Sequence, residues 1–76
     1  MLTKKDIQNN VAANFKYARK LMGLTQHEMA EDVKINFKSY QKIEEAGSVT
    51  YMNVYKLSRI INVSMHDIFL TDISKL

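Results

Sequence analysis

The chain has no cysteine and no proline, only two glycines, and no apolar run approaching the ~18 residues that a membrane span needs. Each absence removes a class. Without cysteine there is no disulfide framework, no thiolate metal site and no thiol nucleophile. That fits a reducing compartment. Without proline, repeats or low-complexity stretches nothing divides the chain, and residues 1–76 are expected to form one domain. Gly23 and Gly47 stand far apart, so there is no glycine-rich phosphate loop. The opening residues, MLTKKDIQNN, carry charge but no apolar segment behind them and do not make a signal peptide. The cytoplasm is the expected location, with no membrane partner. His27 and His66 stand singly, and His27-Glu28 lacks a second histidine four residues on, so no zinc motif is present. No metal, no cofactor and no enzymatic activity are expected.

What is there is a short, mildly basic chain of 76 residues, 46% hydrophobic and 25% charged, with a formal net charge of +3 and a pI near 9.3. At this size folding buries only about 60% of the unfolded surface, so the core is small. The charge permits nucleic acid as a partner without demanding it. Its distribution says more. Lys34, Lys38 and Lys42 recur at i, i+4 and i+8, while Glu28, Glu31 and Asp32 lie on the preceding segment. Alone, such a stripe reads as a solvated helix face.

The segment that decides between these readings is Thr25 to Ala46, TQHEMAEDVKINFKSYQKIEEA. Thr25 with Glu28 is a capping box. Met29, Ala30 and Val33 form the apolar stripe of a short helix. Lys34, Ile35 and Asn36 break it, and Asn36 is a second N-cap. Tyr40 and Ile43 give the next helix its apolar face, with Phe37, Lys38, Gln41 and Lys42 on its other side. The connection has the length of a helix-turn-helix turn, and in that motif the second helix lies in the major groove with its N-terminal residues at the base edges.

Elsewhere the pattern is also helical. Ile7, Val11, Phe15, Ala18 and Met22 recur at three- or four-residue steps behind Thr3 and Asp6, so the first helix runs from about Lys4 to Met22 or, given Asn9 and Asn10, starts near Asn10 after a short arm. Gly23 and Gly47 end helices. Thr50 opens a further helix with Val54, Leu57, Ile60 and Ile61, ended by Asn62 in the left-handed conformation. Ser64 with Asp67 reads as a further capping box, opening a last helix with Met65, Ile68 and Phe69. Leu70, Ile73 and Leu76 suit a helical turn packed on the core or on a second copy. Residues 1–10 and 70–76 are thus helical extensions or arms around five short helices.

The set Arg19, Gly23-Leu24-Thr25-Gln26, Glu28, Met29-Ala30, Val33, Ile35, Tyr40, Ile43-Glu44, Leu57 and Val63-Ser64 with Asp67 resembles the Cro/repressor-type helix-turn-helix family (the XRE family) of phage and bacterial regulators. The resemblance extends from about Val11 to Phe69. It implies an all-α, compact, five-helix fold of the lambda-repressor kind that binds double-stranded DNA. It implies that Gln26 binds a backbone phosphate and braces the reading helix. Phe37, Lys38 and Lys42 take base-reading positions, and Gln41 reaches a base or a phosphate from the periphery. The alternatives are packing for Phe37 and phosphate contact for the lysines. Asn36, Ser39 and Tyr40 are further phosphate candidates, Tyr40 with a competing place in the core. Arg19 and Glu44 match an ion pair joining the first helix to the end of the reading helix. The sequence departs from the family in three places. Lys34 holds a turn position usually given to glycine, the glycine after the reading helix comes one place late at Gly47 rather than at Ala46, and the next loop is short and lacks its usual proline.

Two functions follow from the resemblance. One is a transcriptional regulator, most simply a repressor, acting as a homodimer on a near-palindromic operator with half-sites about 34–36 Å apart. Met65, Phe69, Ile73 and Leu76 are then the candidates for the dimer contact, unless they close this chain's own core. The other is a protein-binding module such as the antitoxin of a toxin–antitoxin pair. With no ligand-binding second domain, control falls to a regulatory partner protein, proteolysis or dimerisation.

Overall fold

Each helix of this chain starts at a side chain that accepts from its own first turn. The computed structural model describes residues 1–76 as α1 (Lys4–Leu21), α2 (Gln26–Asp32), α3 (Phe37–Ala46), α4 (Tyr51–Ile61), α5 (Met65–Leu70) and a closing 3-10 turn (Ile73–Lys75). The N-caps are Thr3, Thr25, Asn36, Thr50 and Ser64. Two are full capping boxes. Thr3 N–H donates to Asp6 at 2.9 Å and Asp6 N–H returns to Thr3 Oγ1 at 3.1 Å, and Thr25 with Glu28 repeats both distances. The backbone hydrogen bond from the cap residue holds each of these carboxyls below its usual pKa. The Thr3 cap puts the start of α1 at Lys4, so Asn9 and Asn10 are interior to the helix. Ser64 makes only half of the expected box. It accepts from Asp67 N–H at 3.1 Å, while the Asp67 carboxylate lies 3.7 Å from the His66 ring and not on the Ser64 amide.

Four of the five helices end on a residue with positive φ: Gly23 at +70°, Lys34 at +58°, Gly47 at +67° and Asn62 at +55°. At Lys34 the amides of Lys34 and Ile35 close on Glu31 O (3.1 Å) and Ala30 O (3.0 Å), the paired bonds of a Schellman turn. A lysine there costs about 1–2 kcal/mol, because its Cβ crowds the following carbonyl. Lys56 of α4 offsets part of this by donating to Val33 O at 3.0 Å, a cation on the last carbonyls of α2. Gly47 has a second reason to be glycine. A Cβ there would overlap the Gln8 carbonyl, so α3 could not end against α1.

The core gathers one stripe from every helix. Val11, Phe15, Ala18, Met29, Ala30, Val33, Tyr40, Ile43, Val54, Leu57 and Ile68 are buried, with Phe15 and Tyr40 edge to face at 6.1 Å. α1 is the spine and packs on α3, α5 and the closing turn. Asn14, a polar residue, is fully buried beside this apolar set. Its Nδ2 donates to Ile68 O (2.9 Å) and Thr71 O (2.7 Å), and its Oδ1 accepts from Ile73 N–H (2.8 Å). Asn10, one turn earlier, donates to Phe69 O at 3.1 Å. The two asparagines thus satisfy carbonyls that the end of α5 leaves open. They also seat the tail on α1, where Thr71 is extended before the 3-10 turn.

Candidate nucleic-acid interface

α2 and α3 meet across the turn at Lys34–Asn36, and the inner edge of α3 is tied down by one carboxylate. Glu44 receives Arg19 Nε at 2.7 Å, Arg19 Nη2 at 3.2 Å, Gln26 Nε2 at 3.1 Å and the Tyr40 hydroxyl. Arg19 Nη1 also donates to Leu24 O at 3.1 Å, so the same guanidinium holds the α1–α2 corner. The Glu44 side chain is 4% exposed and that of Arg19 is 15% exposed. Burial pushes the Glu44 carboxyl up, but the hydrogen bonds from Arg19, Tyr40 and Gln26 outweigh it and hold its pKa below the usual value. The hydrogen bond to Glu44 raises Arg19 in turn. Burial, and then the bond to Glu44, push the Tyr40 phenol far upward. The sequence resemblance pairs Arg19 with Glu44; the structure adds Gln26 and Tyr40 to the same carboxylate.

Tyr40 is therefore corrected as a phosphate candidate. Its ring is fully buried and its hydroxyl is committed to Glu44, so it has no reach into solvent. Gln26 spends one of its two N–H donors on Glu44, leaving the other. Asn36 uses its Oδ1 to accept from Lys38 N–H at 2.8 Å, which leaves its amide NH2. Lys34, Asn36, Lys38, Ser39 and Lys42 are exposed, and Gln41 is half-buried. Phe37 is half-buried and packs against the core; its ring is stacked on that of His27.

A shallow cleft runs beside α3, lined by Asn36, Ser39, Lys42, Ser48, Thr50 and Asn53. Ser48 and Asn53 are donors that no motif in the sequence picks out, because the loop and the start of α4 reach α3 only in the folded chain. Lys56 belongs with them, since nothing local ties it to the end of α2.

The dimer candidates divide. Met65 and Phe69 pack against the chain's own core, and Ile73 is half-buried with its amide on Asn14. Met65 and Phe69 are half-buried, so part of the apolar surface of each closes this chain's own core and part stays in solvent. Leu76 stands 92% exposed. No helix is long and apolar enough to cross a membrane.

Compared with known proteins, residues 15–68 match the family described as Helix-turn-helix. No curated protein and no solved structure matches.

Proposed function

The chain belongs to the helix-turn-helix family of DNA-binding regulators of the Cro/repressor type, and from that premise we propose that it binds duplex DNA sequence-specifically and represses transcription by occupying a promoter. One observation carries the reading. The inner edge of α3 is clamped to α1 through Glu44, while Lys38 and Lys42 stand in solvent on its outer edge. A helix held this way offers a rigid basic face, to which phosphates are drawn and from which guanine O6 and N7 are within a lysine's chemistry. In this reading Phe37, Lys38 and Lys42 read bases, with Gln41 beside them. Gln26, Asn36, Ser39, Ser48 and Asn53 contact phosphates, which set register without carrying sequence. One domain covers few base pairs, so two copies bind a near-palindrome with half-sites about 34–36 Å apart. Leu76, with Leu70, is among the exposed apolar residues that could supply that contact.

The test is selection from a random duplex library at fixed salt, with wild type and the Lys38→Ala/Lys42→Ala variant in parallel. The expected result is an inverted-repeat consensus that the double variant loses. Lys42→Ala alone should cost about 1–3 kcal/mol at the target and relax one position. Equal weakening on every sequence would reduce Lys42 to a phosphate contact. Enrichment no better than non-specific binding would overturn the proposal.

A further inference from the structure

We infer that His27 is a specificity-determining residue of this interface, acting as the flat support that holds the Phe37 ring in its base-reading position. The inference rests on the DNA-binding reading above. His27 lies in the first turn of α2 and Phe37 is the first residue of α3. Across the turn their rings lie face to face, with centroids 3.5 Å apart and planes within 9° of parallel. His27 is exposed, whereas Phe37 is half-buried and packed against the core.

The imidazole has no hydrogen-bond partner within the chain, so the stack is what it does in the fold. An aromatic side chain at a helix start turns about two torsions, and an uncovered face would stand against water. The imidazole covers that face and restricts the ring to orientations parallel with it. For a ring that meets a thymine methyl, this matters: a contact is more favourable when the side chain is ordered before the DNA arrives. His27 is thus a positioning residue, and its effect should appear at the single base step that Phe37 reads. A tyrosine at the same place keeps a flat face and should do the same work.

The experiment compares wild type, His27→Ala, His27→Tyr and Phe37→Ala in the same duplex selection, with affinities on the selected site and on a non-specific duplex. Circular dichroism confirms that each variant is folded. His27→Ala should lose about 2- to 10-fold on the selected site, the range of an aromatic pair, and should relax the same base position as Phe37→Ala. Its non-specific binding should be unchanged, and His27→Tyr should restore the preference. An unchanged consensus with His27→Ala, equal weakening on both duplexes, or no rescue by folded His27→Tyr overturns the inference while leaving the DNA-binding reading intact. No consensus from wild type overturns both.

Discussion

Arg19 and Asn14 lie on the same helix, α1, and each organises a cluster of polar side chains, but the two clusters are built from opposite chemistry. At Arg19 a buried carboxylate, Glu44, collects donors from α1, α2 and α3. At Asn14 a neutral amide uses both its ends on backbone groups of α5 and the tail. The charged cluster must gather several donors, because a buried carboxylate without them is costly. That demand fixes how α1, α2 and α3 cross. The neutral cluster asks less, and it binds backbone only, so it seats a segment without selecting the side chains on it. One cluster therefore orients the face proposed to meet DNA, and the other closes the far side of the core.

The comparison predicts unequal losses. Glu44→Ala should be the largest, about 3–5 kcal/mol by urea denaturation, since it strands the Arg19 charge and the Tyr40 hydroxyl in a nearly dry site. A loss below 1 kcal/mol would show the pair to be solvated and remove its role in orienting α3. Asn14→Ala should cost less, about 1–3 kcal/mol, from the unpaired carbonyls and the Ile73 amide. Its signature is local: hydrogen exchange at Ile73 should speed up, with the α3 amides unchanged. Faster exchange throughout α3 would erase the distinction between the clusters.

The smallest effect is a slope. The Glu44 carboxyl titrates below its usual value in the folded chain. Its contribution is therefore fully present above the unfolded value of about 4.3 and is lost as the pH falls through the folded one. Asp6 and Glu28 are shifted the same way. Urea midpoints measured from pH 7 down to pH 3 should fall for wild type and for Asn14→Ala alike. Glu44→Gln should flatten the fall, because the neutral amide has no proton to take up. An equally steep fall in Glu44→Gln would assign the slope to the capping acids.

Much of this architecture is legible along the chain. Thr3, Thr25, Asn36, Thr50 and Ser64 cap their own next turns, and Asn62, Gly47 and Lys34 sit where a helix ends with positive φ. Arg19 and Glu44 are readable only through the family's spaced pattern, since 25 residues separate them. Asn10, like Asn9, reads as a poor helix residue by propensity, and nothing in the sequence singles out Asn14. The partners of Asn10 and Asn14 are carbonyls more than 50 residues away, and any sequence has a carbonyl at every position. The second half of the Ser64 box is missing in the structure, where the Asp67 carboxylate lies 3.7 Å from the His66 ring.

The sequence by itself determined where helices begin and end and which stripe of each is apolar, because caps and stripes act between residues a turn apart. Only the tertiary structure decided that the Tyr40 hydroxyl goes to Glu44, that Met65 and Phe69 pack partly against the core, that Lys56 closes α2 and that His27 lies on Phe37. Those contacts depend on how helices cross, and crossing is set by the packing of the whole core at once.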